Sequence, residues 1–319
     1  MPAQNIYNKL LVFKSFGSPV EQLALDSCRL PSLRAGHLRV AMSLAPINPS
    51  DLIPITGAYA HRISLPGIAG YEGVGTVIET PVTHPSLLGR RVLPLRGPGT
   101  WQSYVDCDPD LAITVPDQIS DDVAARAYIN PLAASTMLDR FPVSGKCILL
   151  SGAGSSCAEM LARWALQQGA RKVMGIYRSG IRAGRLLANG VEPISQDDAL
   201  AVENAAREAD ITFDSLGGNV GSTVLASMRA TTVFVGYGLL SGQGLRNCGQ
   251  VRASYHRFHL RDTLACMTAT EWQSRFAALW PMLANLDLPS PEIFPISDWR
   301  SAINKASTPG SNKCMLRLN

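Results

Sequence analysis

Asn48, Tyr59, Trp101 and the turn at 152–158 are the residues whose types and spacing could do chemistry in this chain. Tyr59 ends a Gly-Ala-Tyr turn. A phenol has a reference pKa of about 10, so at neutral pH it keeps its proton and can hand it to a carbanion or an enolate. The same ring could equally be a packing or rim aromatic beside a turn. Asn48 opens an Asn-Pro-Ser-Asp run. Its amide could hydrogen-bond a ligand, or Asn48 and Asp51 could cap a short helix, a common use of both residue types. Trp101, in a Gly-Thr-Trp sequence, either walls a pocket and keeps water out or fills a core.

The segment "LLSGAGSSCAEM" (149–160) delivers an apolar strand to small residues and starts a helix at once. The N–H groups at such a helix start can hold a diphosphate, and small residues let it come close. Gly152, Gly154, Ser155, Ser156, Cys157 and Ala158 are therefore candidate contacts. Read as G-x-G-x-x-G, the third glycine is Cys157, so a plain tight turn between strand and helix stays open. The next strand ends in Tyr177 and Arg178, with Arg182 and Arg185 nearby and no Asp or Glu. A carboxylate there would select the ribose hydroxyl of NAD; a guanidinium suits a 2′-phosphate through paired hydrogen bonds. The expected cofactor is thus NADPH, unless the arginines simply solvate a helix start. "DITFDSLGG" (210–218) and "VGYG" (235–238) end two further strands and add Leu216, Gly217, Gly236 and Tyr237. Ligands of open α/β sheets bind beyond the carboxyl ends of the strands.

Other chemistries fit poorly. His256 and His259 are spaced for one helical face, but no Cys-rich lobe and no H-E-x-x-H goes with them, so no metal is expected. No G-x-S-x-G elbow supports a serine hydrolase. The net charge of +4 is spread along 319 residues rather than gathered into a stripe, which disfavours nucleic acid. No apolar run approaches the ~20 residues that span a bilayer. Seven scattered cysteines without a C-x-x-C, and a start lacking leader-like or Arg-rich character, are the pattern expected of a reduced, cytoplasmic protein.

The elements that must position these residues fall into two textures. Residues 9–116 read as β-rich runs cut by Gly and Pro, such as "KLLVFKSFG", "HLRVAMSLAPI" and "GVGTVIET". "SDDVAARAYINPLAASTMLDRF" then has helical spacing, with Ser120 as N-cap. From 146, strand and helix alternate at the period of βαβ units, which predicts an α/β fold with a doubly wound, Rossmann-type parallel sheet. After about 262 the alternation stops, and a helix, strand, helix and last strand return to the first domain. The expected division is 1–125 with 263–319 as one domain and 126–262 as the dinucleotide-binding domain.

In this order the signals resemble the medium-chain dehydrogenase/reductase superfamily: "LVFKSFG", "INPSD" at 47–51, "GYEGVGTV" at 70–77, the 149–160 turn, "DITFDSLGG" and "FPISDWRSAINKA". Zinc alcohol dehydrogenases have Gly-His-Glu where this chain has Gly70-Tyr71-Glu72, so it looks most like the zinc-free quinone oxidoreductase branch. "NPSD", "GAY", "GYEGVG", "GTW" and "INP" (129–131) are similar to mitochondrial-type 2-enoyl thioester reductases. Ser155 matches that family's turn, while Ser156 and Ala158 stand where it has glycines. The resemblance implies a mainly β GroES-like catalytic domain beside the Rossmann domain, and a homodimer. It also implies an NADPH-dependent reductase of an enoyl-CoA or acyl-carrier-protein thioester, with Tyr59 as proton donor. A quinone or alkenal reductase, or a non-catalytic NADPH-binding protein, are the alternatives. His61 and Arg62 follow Tyr59 and would form a basic rim for an acidic carrier.

Overall fold

The computed structural model describes residues 6–246, 248–308 and 310–319. The chain divides into two compact units, Met1–Ile129 with Met267–Asn319, and Asn130–Cys266.

The unit Asn130–Cys266 is built on six parallel strands, in the spatial order Glu192–Ser195, Lys172–Tyr177, Cys147–Leu150, Ile211–Asp214, Val233–Gly236, Ser254–Arg257. Numbered along the chain, this order is 3-2-1-4-5-6, that of a doubly wound dinucleotide-binding sheet. The two central strands, "CILL" and "ITFD", are buried at every residue. That is what a parallel sheet covered on both faces demands of its middle. Helices Ser156–Gln167, Ile181–Ala188, Ala199–Glu208 and Gly218–Ser227 follow the first four strands. Leu149, Met174, Ile176, Val202, Ala206, Val224 and Phe234 belong to one core of this unit.

Three elements here escape a reading of the residue pattern. Strand Glu192–Ser195 contains Pro193, and strand Ser254–Arg257 is exposed throughout. Both are edge strands, where pairing on one side suffices and proline or polar residues are tolerated. Helix Ala199–Glu208 was hidden because its apolar face is mostly alanine. The helical stretch expected across 120–141 is two helices, Asp121–Ala124 and Ile129–Arg140. Pro131 explains the break: inside one continuous helix its ring would clash with the preceding turn, whereas the first turn of a new helix accepts it.

The other unit holds a three-stranded sheet and a larger, mostly antiparallel one. Its longest strand, Leu38–Pro46, pairs with Val74–Glu79, Tyr104–Cys107 and the C-terminal strand Cys314–Arg317. Helix Ala269–Ala284 begins at a capping box made by Thr268 and Glu271. Leu38, Val40, Met42, Trp101, Val105, Trp299 and Leu316 pack into this unit's core. The C-terminal strand therefore completes the sheet that carries the 47–72 segment.

Candidate functional site

At the carboxyl edge of the parallel sheet, one buried carboxylate organises the loops. Asp214 ends its strand and accepts the Ser151 hydroxyl from the neighbouring strand end, the Gly217 N–H at 2.9 Å and the Leu216 N–H at 3.3 Å. Ser151 in turn accepts the Ser215 N–H at 2.9 Å. Burial raises the Asp214 pKa, and the Ser151 hydroxyl and loop N–H groups oppose that rise. The loop then reverses at Gly217 (φ +63), where a β-carbon would lie 2.5 Å from the Gln243 carbonyl oxygen. Only glycine serves here.

The glycine turn is built in the same way. Gly152 has φ +60, and a β-carbon on it would sit 2.5 Å from Ser215 Oγ. A β-carbon on Gly154 would meet the Arg182 side chain at 3.1 Å, so Arg182 lies across the turn. Ser155 is the N-cap of helix Ser156–Gln167 and accepts the Ala158 N–H at 3.4 Å. The remaining N–H groups of that helix's first turn have no intrahelical carbonyl to bond and can serve an anion. Cys157 and Ala158, the departures from a glycine pattern, are both buried, while Gly152, Gly154, Ser155 and Ser156 retain exposure. The larger side chains therefore fill the interior and leave the outer lip of the turn small. Burial pushes the Cys157 thiol up to about 12, which makes it a packing group rather than a nucleophile.

Arg178 is exposed just past strand Lys172–Tyr177, with Tyr177 partly buried beside it. Arg185, nearby in sequence, pairs with Glu159 at 2.5 Å. Arg178 and Arg182 are the other two cations of this stretch. Leu216 and Gly236 lie partly exposed at strand ends, and Tyr237 follows with its N–H bonded to the Asp214 carbonyl at 2.8 Å. This arrangement fits a dinucleotide phosphate: a glycine-lined turn, a helix start and basic side chains at one sheet edge.

In the other unit, Tyr59 is half-buried at the start of a short 3-10 turn, Ala60–Arg62. The Arg62 guanidinium stacks over its ring, 4.2 Å from the centroid. Tyr71 shares this surroundings: burial first, then the Asp51 carboxylate, then Tyr59 raise its pKa. Tyr71 also donates its backbone N–H to Asp51 Oδ1 at 2.9 Å. Asn48 and Trp101, the other two candidate catalytic residues, are both buried. Asn48 caps helix Pro49–Leu52 and is only 2% exposed. Its amide donates to Glu72 Oε1 at 2.7 Å, its side-chain oxygen accepts from Lys313, and its N–H donates to Asp51 Oδ2 at 2.7 Å. The capping alternative is the one realised. Trp101 is fully buried, with its indole N–H bonded to the Pro46 carbonyl at 3.2 Å and Gly70 packed against it. It is core, not a pocket wall.

Glu72 and Lys313 are the site residues that pattern reading overlooked. Glu72 also accepts the Tyr128 and Ile129 N–H groups at 3.0 and 2.8 Å. Lys313 reaches the Ile47 carbonyl at 3.0 Å. Nothing local marks a buried lysine; it becomes legible only once strand Cys314–Arg317 is seen to pair beside Pro46. Among the described residues no cluster of three His, Cys, Asp or Glu could hold a metal ion, and no helix is long and apolar enough to cross a membrane.

No family model matches the chain. It is 30% identical over 247 residues to the mitochondrial enoyl-[acyl-carrier-protein] reductase of Arabidopsis thaliana and 27% identical over 248 residues to that of Homo sapiens. These matches cover 73% and 74% of the chain, and 66%, just under two thirds, of each relative. A solved Bacillus thuringiensis protein, provisionally designated an NADPH:quinone reductase, is 32% identical, with a TM-score of 0.90 over 98% of this chain and 99% of that one. An enoyl thioester reductase from Candida tropicalis, solved in mutant form, is 16% identical with a TM-score of 0.81, covering 98% of this chain and all (100%) of its own. At that identity the likeness concerns the fold.

The buried charges of the Tyr59 unit give it a measurable pH dependence. Burial, reinforced by Glu72, pushes the Asp51 carboxyl up to about 7. Burial raises Glu72 and lowers Lys313 as well. A raised carboxyl pKa means that the folded chain holds a proton the unfolded chain has already released, so stability falls as pH rises from about 4 towards 7. Urea unfolding should show a loss on the order of 2–4 kcal/mol across that window, and Asp51→Asn should flatten much of the slope. An identical slope in wild type and variant would contradict the assignment.

Proposed function

The chain belongs to the zinc-free branch of the medium-chain dehydrogenase/reductase family, and from that membership we propose that it is an NADPH-dependent reductase of the C=C bond of an α,β-unsaturated thioester, carried on CoA or an acyl-carrier protein. One observation carries the coenzyme choice. Arg178 closes the second strand and Arg182 lies over Gly154, with no Asp or Glu from 177 to 185 to claim a ribose hydroxyl. Two guanidinium groups suit a 2′-phosphate, whose charge they can meet with paired hydrogen bonds. The thioester half of the reading rests on the enoyl reductase relatives and on a phenol at Tyr59.

When bound, NADPH would supply the hydride that adds to the substrate's β-carbon. The chain's own residues do the rest. The first turn of helix Ser156–Gln167 would hold the diphosphate with its N–H groups and the positive end of the helix. Gly152, Gly154 and Gly217 keep the backbone open to close approach. Tyr59 protonates the α-carbon of the resulting enolate: its O–H bond breaks, a C–H bond forms, and the phenolate regains a proton from water. Arg62, over the ring at 4.2 Å, holds the phenol in place.

A quinone or alkenal reductase is the second reading, favoured by the full-length match to the Bacillus thuringiensis protein. Both chemistries deliver hydride to a conjugated carbonyl and differ in the acceptor. We also propose a homodimer, supported by strand Ser254–Arg257, whose outer edge is exposed and open to pairing with a second copy. Light scattering should give twice the chain mass; a single-chain mass at micromolar concentration contradicts the dimer.

NADPH oxidation followed with crotonyl-CoA, a longer enoyl-CoA, an enoyl-acyl-carrier protein and a quinone separates the readings. Turnover of the thioesters should exceed that of the quinone. Tyr59→Phe should lose roughly 10²–10⁴-fold in kcat with thioester substrate, the usual worth of a positioned proton donor, while NADPH affinity stays unchanged. Equal turnover in wild type and Tyr59→Phe would remove the phenol from the chemistry, and activity with the quinone alone would select the second reading.

A further inference from the structure

Asp51 is buried, and its two carboxylate oxygens are taken up by two different stretches of chain. Oδ2 accepts the Asn48 N–H at 2.7 Å, and Oδ1 accepts the N–H of Tyr71, 20 positions along the chain, at 2.9 Å. These bonds close the base of a loop, and Tyr59 lies inside that loop. From Asp51 the chain leaves helix Pro49–Leu52 for the 3-10 turn Ile53–Thr56 and reaches Gly57, whose carbonyl accepts the Ala60 N–H at 3.0 Å. The Tyr59 carbonyl accepts the Arg62 N–H at 2.9 Å. Consecutive tight turns of this kind leave little slack between the carboxylate and the phenol.

Only the ionised carboxyl suits both bonds. A carboxylate accepts at each oxygen, whereas a protonated carboxyl turns one oxygen into a donor, set against an N–H that is also a donor. Backbone bonds that hold the same loop elsewhere, such as that from the Gly17 N–H to the Ile55 carbonyl at 2.9 Å, do not titrate. The charged and titratable groups that act on Asp51 come from three places. Glu72, ahead of strand Val74–Glu79, is a second buried carboxylate. Lys313, ahead of strand Cys314–Arg317, is a buried cation that Arg126 repels in turn. Tyr71 adds its phenol, which feels both Asp51 and Tyr59. Burial and Glu72 hold the Asp51 carboxyl at about 7, so its charge changes within the neutral range.

We propose that Asp51 is the positioning residue of Tyr59: its carboxylate, by bridging the Asn48 and Tyr71 N–H groups, sets the loop from which the phenol reaches the substrate's α-carbon. This rests on the proton-donor reading above and adds to it a residue and a signature. The signature is a pair of opposite pH trends. Stability falls as the carboxyl gives up a proton that the folded chain holds and the unfolded chain does not. Turnover rises over the same range, as the bridge is completed. A residue that only kept the fold intact would move both in one direction.

The test uses the full-length protein with saturating NADPH and crotonyl-CoA. Wild-type kcat should rise about tenfold from pH 6 to pH 8, as the ionised share of a group titrating near 7 grows. Stability in urea, measured in parallel, should decline over the lower half of that range. Asp51→Asn keeps the side chain's size, but its amide has one acceptor for two N–H groups. Its kcat should fall roughly 10²-fold and lose the pH rise, with NADPH affinity unchanged. His61, the imidazole on the same loop, is the control: the rise must survive in His61→Gln. A wild-type kcat that is flat or falls from pH 6 to pH 8 overturns the inference, as does a rise that Asp51→Asn retains or His61→Gln abolishes. These results leave the proton-donor reading standing. Should Asp51→Asn not fold, the wild-type trends and His61→Gln still decide. Wild-type turnover in Tyr59→Phe, or no turnover of thioester by wild type, removes the proton-donor reading itself and this inference with it.

Discussion

The carboxyl edge of the parallel sheet depends on the Asp214 carboxylate. Strand ends in a parallel sheet are where backbone groups lose their ladder partners, and every lost partner must be replaced or left for a ligand. Asp214 replaces two at once, by accepting the N–H groups of Leu216 and Gly217, and it also accepts the Ser151 hydroxyl. This ties the ends of the two central strands together across the point where the sheet order reverses. With those loops held, N–H groups in the first turn of helix Ser156–Gln167 remain without an intrahelical acceptor. The rigidity of one set and the unmet demand of the other are two sides of the same arrangement.

The other unit spends its buried charge differently. Asp51, Glu72 and Lys313 sit among backbone donors and acceptors contributed by residues 47, 48, 71, 128 and 129. Burying three charges is expensive, and such clusters persist when they fix a geometry that apolar packing would leave loose. What this one fixes is the 47–72 segment, which carries Tyr59. Tyr71 in this segment donates its backbone N–H to Asp51. The segment is shaped by hydrogen bonds to carboxylates.

Much of this was legible in the residues. The α/β class and the parallel sheet follow from strand–helix alternation, and the glycine turn, the Arg178 strand end and the Gly217 loop all appear at the carboxyl edge of the sheet. The edge strands were not legible, because an edge strand needs neither an apolar face nor strict alternation. Asn48 and Trp101 stayed open between site and interior for a related reason. Residue type states what a side chain can do, but only tertiary neighbours decide whether it faces a ligand or the interior. Lys313 shows the limit most clearly: its partner Asn48 lies 265 positions away along the chain, and no local pattern reports such a contact.

The central claim is that the carboxyl edge of the six-stranded sheet holds a dinucleotide by its phosphates and reads the 2′-phosphate with Arg178. Isothermal titration of wild type and Arg178→Ala with NADPH and NADH tests this most directly. Wild type should prefer NADPH by about tenfold or more, the worth of a charge-assisted hydrogen-bond pair, and Arg178→Ala should lose most of that preference while its NADH affinity stays the same. Equal weakening of both coenzymes by Arg178→Ala, or a wild type that does not distinguish them, would contradict it.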